Sequence, residues 1–178
     1  MPTLLQIGQL GHPVLRRRAE DVRAFDDPGL QALIDDMIET CRDADGVGIA
    51  APQVYRPFRL FIIASKPNPR YPGAPDMEPL AVINPTIVAA SEQMEKDWEG
   101  CLSIPGIRGL VPRHTSVTVS FTNRDGKREE RTFENFVARI FQHEHDHIEG
   151  RVFLDRTNPK EMMTEKEYQK MLRTAPNG

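Results

Sequence analysis

A chain of 178 residues that is 39% hydrophobic can bury a core as one domain without disulfide or oligomer support. Its 23 basic and 26 acidic side chains are mixed along the chain, for a net charge of -3. That excludes the broad positive footprint of a nucleic-acid binder and favours small molecules or peptides as ligands. No stretch approaches membrane-spanning length, no leader pattern opens the chain, and Cys41 and Cys101 sit in unlike contexts that offer no disulfide framework. The expectation is a soluble cytoplasmic protein; a trimmed organellar form gives the same reading.

In chain order the first predicted element is a helix. Asp27 caps it, Pro28 pre-sets its first turn, and Leu30, Leu33, Ile34, Met37, Ile38 and Cys41 follow at helical spacing. It runs out in the polar RDADG, directly before GVGIAAPQ at 46–53. Residues 59–64 and 80–90 read as strands, and the prolines between them make 66–79 a surface loop. Val117, Val119 and Phe121 alternate with hydroxyl residues, and Asp125 and Gly126 turn the chain into a polar return strand. A second helix is predicted from a Thr132 cap to a Gly150 stop, with Phe133, Val137, Ile140, Phe141 and Ile148 on its apolar face. Residues 152–154 suggest a short strand. Thr164 and Glu167 suggest a capping box for a last helix at about 164–174, at the C-terminal edge of a single domain spanning 1–178.

The second helix carries QHEHDH, residues 142–147. Positions i and i+4 share a helix face, so His143 and His147 can hold one metal ion while Glu144 handles the proton of an attacking water. A catalytic site of this kind needs a third protein ligand. No histidine follows His147, which leaves the carboxylates Glu161, Glu165 and Glu167 or an upstream group. Cys101 is the better candidate, because EGCLS puts a potentially anionic ligand beside a glycine, whereas Cys41 continues the apolar stripe of the first helix and reads as a core thiol. His145, two residues on, points about 160° away from His143, outside the ligand set. Asp146 can orient an imidazole or pair with Arg113, or simply be solvated.

GVGIAA matches a dinucleotide fingerprint only superficially, since a polar helix end precedes it and Pro52 follows. Its small residues instead let backbone run close to a substrate, with Gln53 as a neutral donor for a developing oxyanion.

Together GVGIAAPQ (46–53), EGCLS (99–103) and QHEHDH (142–147) resemble the peptide deformylase family in order and approximate spacing. LGHPVLRRRA, SIPGIRGLVPR and RVFLDR also look like that family, so the likeness runs to about Arg156. The resemblance implies a compact α+β domain, with antiparallel sheets around a central metal-binding helix, that removes the formyl group from the initiator methionine of nascent peptides. It implies Cys101, His143 and His147 as ligands of one divalent ion, ferrous iron in vivo, with zinc, nickel or cobalt as alternatives. Glu144 would be the general base and acid, with Gln53 and the Leu102 amide holding the oxyanion. Gly48 and Gly100 would hydrogen-bond the extended peptide, Val47 would line its side-chain pocket, Arg108 would touch its backbone, and Arg113 would pair with Asp146.

The sequence departs from the family's pattern at Ile148, where leucine is usual, and at Tyr55, where glycine is common. Pro105 to Arg108 and the pair Ala138 and Arg139 resemble its organelle-type branch. The rival readings are an HExxH endopeptidase with a downstream ligand, a thiol hydrolase using Cys101 as nucleophile, and a non-catalytic ribosome-associated metal-binding module. Expected partners are N-formylmethionyl nascent peptides, with transient ribosome contact through Lys166, Lys170 and Arg173 weighed against a solvated helix face. No nucleic-acid specificity, no membrane, and a monomer or weak dimer complete the reading.

Overall fold

The computed structural model describes residues 1–174 and shows an α+β domain of two antiparallel sheets. Helix α1 (Pro28–Asp43) starts as predicted, with the Asp27 carboxylate accepting from the Gly29 N–H at 3.0 Å. Strands β1 (Gly48–Ala50), β2 (Leu60–Ile63), β3 (Leu80–Ala90), β6 (Ser116–Thr122) and β7 (Arg128–Glu134) form one sheet, in the order β1-β2-β3-β6-β7. Strands β4 (Met94–Cys101), β5 (Ile104–His114) and β8 (Met162–Thr164) form the second, in the order β4-β5-β8. Helix α2 (Asn135–Ile148) contacts strands of both sheets, and α3 (Glu165–Thr174) follows β8 directly.

The large sheet is covered on both faces, which explains why β2 reads LFII without a polar residue. Leu60 and Ile62 pack with Leu30, Leu33, Ile34 and Met37 of α1 on one side. Phe61 and Ile63 pack with Ala138, Ile140, Phe141 and Ile148 of α2 on the other. Phe141 meets Phe61 edge-on at 5.3 Å between ring centroids and stacks on Phe133 at 5.7 Å. The second sheet has a much smaller apolar cluster, made by Cys101, Ile104, Val111, Val152 and Phe153.

The helices at 28–43 and near 165–174, the 116–134 hairpin and the irregular 66–79 loop are formed as expected. Three predictions are corrected. Thr132 caps nothing: it lies in β7 opposite Thr118, their hydroxyls 2.9 Å apart, and α2 begins only at Asn135. Phe133 fitted the helical period because a strand side chain can face the same core. Residues 152–154 make no strand, since a 3-10 turn covers Phe153–Asp155, with the Asp155 carboxylate accepting from the Val152 N–H. The capping box of α3 is half formed, as Thr164 accepts from the Glu167 N–H at 3.3 Å while the Glu167 side chain goes to Lys170. No helix of the described residues is long and apolar enough to cross a membrane.

Phe61 is fully buried and joins β2 to α2. Phe61→Ala is expected to cost about 3–5 kcal/mol of unfolding free energy, measured by urea titration followed by circular dichroism.

Candidate active site

Helix α2 is enclosed on nearly every side, and the groups that make this tolerable are partnered polar residues. His143 and His147, one turn apart, hold their rings 5.2 Å from centroid to centroid. The tight turn between β4 and β5 delivers Cys101 to the same place. Its sulfur lies 3.3 Å from His147 Nε2, and one donor atom from each of Cys101, His143 and His147 falls within a mutual 4.8 Å. His145 lies outside this group, half-buried and stacked on Phe141 at 5.7 Å. Glu161, Glu165 and Glu167 are not part of it either. Cys41 is the predicted core thiol, fully buried and pushed up to about 12 by burial, with the Glu144 charge adding to the effect.

Gln53 closes one side. Its amide oxygen accepts from the Ala50 N–H at 2.8 Å, so its nitrogen must face inward, donating to Ser103 Oγ at 3.0 Å with the Cys101 sulfur at 3.5 Å. Glu144 is buried, and its Oε2 has no hydrogen-bond partner among the described residues. Burial pushes its carboxyl up to about 7, with the Cys101 and Glu99 charges reinforcing and the two imidazoles opposing. Gly48 of β1 lies against it: a Cβ there would come within 2.7 Å of Glu144 Oε1 and 2.9 Å of Ile140 Cγ2. Only a glycine leaves the carboxylate where it is.

Burial alone would raise the Cys101 thiol, but the adjacent His147 and His143 hold it well below its ordinary range. Burial would lower His143, and Cys101 and Glu99 lift it well above. An anionic sulfur and two imidazoles with no other strong demand on their inward-facing atoms form a donor set suited to a soft or borderline divalent cation. His147 turns its Nε2 to the sulfur, and its buried Nδ1 has no hydrogen-bond partner among the described residues.

Behind the donors lies a buried ionic network. Glu99 of β4 accepts from His143 Nδ1 at 2.8 Å, from Arg113 Nε and Nη2 at 2.9 Å each, and from Arg139 Nη1 at 2.8 Å. Asp146 of α2 accepts from Arg113 Nη1 at 2.6 Å, as expected, and from Arg156 Nε and Nη2 at 2.6 and 2.7 Å. Burial opposes ionisation of both carboxyls; Arg113 at Glu99, and Arg156 with Arg113 at Asp146, overcome it and hold both below the usual carboxylate range. Glu99, Arg139 and Arg156 have no part in the predicted site. All three lie within or beside quoted motifs, but the separation of 44 positions between Glu99 and His143 hides their contact from any local pattern.

The cavity above the donors is lined by Val47, Gly48, Gln53, Gly100, Cys101, Leu102, His143 and Glu144, and on its outer side by Arg70, Tyr71, Trp98 and Phe136. One expected group is elsewhere. Arg108 is fully buried behind Gly100, bonded to Glu165 of α3, and does not face the cavity.

Fold and donor set together define a metal-dependent hydrolase built on an α+β domain. The profile of a family described as polypeptide deformylase matches residues 4–163, which leaves α3 outside. A peptide deformylase 2 of Nostoc sp. is 55% identical over 96% of each chain. A peptide deformylase 2 of Shewanella oneidensis is 48% identical over 88% of this chain and 86% of its own. Among solved structures, a class I type b peptide deformylase of Acinetobacter baumannii with Met-Ala-Ser bound superposes with a TM-score of 0.85 at 42% identity, covering 88% of this chain and 99% of its own. The Thermotoga maritima peptide deformylase gives a TM-score of 0.79 at 39% identity over 88% and 99% of the two chains.

The chain belongs to the peptide deformylase family. It is a metal-dependent enzyme that removes the N-formyl group from nascent peptides.

Arg113 has side-chain exposure of 3%, against 38% for Arg156, although both bind Asp146. Arg113→Ala leaves two carboxylates buried without their shared cation and is expected to cost about 3–5 kcal/mol in urea unfolding. Arg156→Ala, measured alongside, is expected to cost clearly less, because water can replace a half-exposed guanidinium.

Proposed function

We propose that Cys101, His143 and His147 hold a single divalent ion at which Glu144 moves the protons of deformylation, and that ferrous iron is the physiological ion. The convergence of the three donor atoms within 4.8 Å, with a buried carboxylate beside them, carries this reading. A thiolate softens the donor set, which suits ferrous iron and also admits zinc, nickel or cobalt. The ion supplies Lewis acidity, bringing water within reach of attack near neutral pH.

The chain's own groups do the rest. Strands β1 and β4 each lie at the edge of their sheet, and Gly48 and Gly100 on those edges line one cavity. A formylated peptide entering as an added strand meets main-chain partners on both sides, with the methionine side chain against Val47. Glu144 accepts a proton from the attacking water as the new carbon–oxygen bond forms. The carbonyl oxygen, gaining charge, takes hydrogen bonds from Gln53 Nε2 and the Leu102 amide. Glu144 returns the proton to the methionine nitrogen as the carbon–nitrogen bond breaks, and formate and a free N-terminus leave. Asp146 and Arg113 fix the helix, and Arg108 acts from behind the cavity wall.

The buried thiols suit a reducing cytoplasm, where the protein acts as a monomer or weak dimer on chains leaving the ribosome. The exposed Lys166, Lys170 and Arg173 of α3 offer the basic face for a transient ribosome contact.

Formate release from formyl-Met-Ala-Ser by anaerobically prepared protein, with metal content measured in the same sample, tests the assignment. Glu144→Ala is expected to lose about 10²–10⁴-fold in rate with metal retained. Cys101→Ala is expected to lose the metal, and chelation should silence the wild type. A Glu144→Ala enzyme of normal rate, or a Cys101→Ala enzyme with full metal and activity, would sink the assignment. Activity that survives chelation would point to the thiol mechanism instead. Glu99→Leu removes the acceptor of His143 Nδ1 and is expected to weaken metal retention about 10–100-fold in competition with a chelator.

A further inference from the structure

The outer wall of the cavity is tied to the C-terminal helix through one buried cation. Arg108 of β5 has no exposed surface. Its Nε and Nη2 donate to the two carboxylate oxygens of Glu165 in α3, and its Nη1 has no partner among the described residues. The guanidinium carbon sits 4.9 Å from the ring centroid of Tyr71 and 4.6 Å from that of Tyr168. Tyr71 in turn packs on Phe136 of α2 at 5.6 Å, and Tyr168 on Trp98 of β4 at 5.9 Å. Tyr71, Phe136 and Trp98 line the substrate cavity, whereas Glu165 and Tyr168 do not.

Two points argue that this cluster positions rather than merely stabilises. A buried guanidinium with an unpaired nitrogen is an expensive way to attach a helix, since an apolar contact would do the same without desolvating a charge. Tyr71 also belongs to the proline-rich 66–79 segment, which has no regular strand or helix to hold it. Its local anchor is the Asn68 turn, where Asn68 Oδ1 accepts from the Tyr71 N–H at 2.9 Å. Its ring packs against Phe136 and the buried Arg108, with the guanidinium of its own neighbour Arg70 5.5 Å from the ring centroid. Arg108 is itself aimed by the two-pronged contact with Glu165, which fixes the plane of the guanidinium. Gly100 completes the coupling: a Cβ there would come within 3.1 Å of Arg108 Cδ and Nε, so the peptide-binding edge of β4 rests on the same side chain.

We propose that α3 is a positioning element for the substrate cavity, with Glu165 and Tyr168 fixing Arg108 so that Tyr71 forms the wall against which the peptide beyond the methionine packs. The inference rests on the deformylase reading for the nature of the ligand. It extends the working part of the chain past residue 163 and makes Glu165, Tyr168 and Tyr71 positioning residues for substrate affinity.

The test compares KM and kcat for formyl-Met-Ala-Ser, and the Kd of the product Met-Ala-Ser by calorimetry, in metal-replete wild type, Glu165→Gln, Tyr168→Leu, Tyr71→Ala and Tyr71→Phe. Glu165→Gln and Tyr168→Leu are expected to raise KM and Kd about five- to tenfold with kcat within about twofold. Tyr71→Ala should do at least as much, Tyr71→Phe should behave as wild type because the ring is retained, and Glu165→Gln combined with Tyr71→Ala should add little to Tyr71→Ala alone. Leu172→Ala, at an exposed position of α3, serves as the control and should change neither constant. Unchanged KM and Kd in folded Glu165→Gln or Tyr168→Leu, or full additivity of the pair, would overturn the proposal. Should Glu165→Gln fail to fold, Tyr168→Leu, which leaves no charge unpaired, decides the matter. Wild type that binds Met-Ala-Ser but releases no formate would count against the deformylase reading and leave this inference to the binding data.

Discussion

Everything at this site depends on Arg113 being held between two buried carboxylates. Glu99 belongs to the small sheet and Asp146 to α2, and Arg113 bonds both at 2.6–2.9 Å. The apolar cluster between that sheet and the helix is slight, built around Cys101, Ile104, Val111, Val152 and Phe153. Apolar contacts of that size permit sliding by a fraction of a turn, whereas a guanidinium bonded through all three nitrogens permits one relative placement. Cys101 lies two residues beyond Glu99, and His143 and His147 flank Asp146, so the register fixed by the ion pairs is also the register of the donors.

The same network decides the charge that the donors see. Glu99 and Asp146 are answered by Arg113, Arg139 and Arg156, so the positive surplus lies behind the helix while the front keeps a thiolate and a buried carboxyl. Glu99 spends one oxygen on His143, which fixes which ring nitrogen faces the cavity. Gln53 is fixed in the same manner by the Ala50 amide. In both cases a hydrogen bond on the outward side of a planar group determines what its inward side can do.

Elements that pack two-sided or amphipathically were legible in the sequence. The stripe from Leu30 to Cys41, the unbroken LFII of β2 and the alternation through Val117, Val119 and Phe121 each encode burial that the structure realises. Strands β4 and β5 were not legible, because in β4 Met94–Asp97 are exposed and the buried end is the unbroken Glu99, Gly100 and Cys101 rather than an alternating apolar period. The candidate site was read through three short motifs, and the donors, Glu144 and Gln53 lie together. What stayed hidden was long-range and ionic: Glu99 against His143, Arg156 against Asp146 and Arg108 against Glu165 span 44, 10 and 57 residues, and a charged side chain in sequence gives no sign of whether it will be solvated or enclosed.

Two sheet edges, β1 and β4, border a single cavity. An open strand edge is ordinarily an invitation to uncontrolled pairing with other chains. Here the two edges share that cavity, so whatever pairs with one must fit beside the other. The hazard of an unpaired edge and the need of a peptide enzyme for a cleft thus meet in one piece of geometry, in which each edge limits what the other can accept.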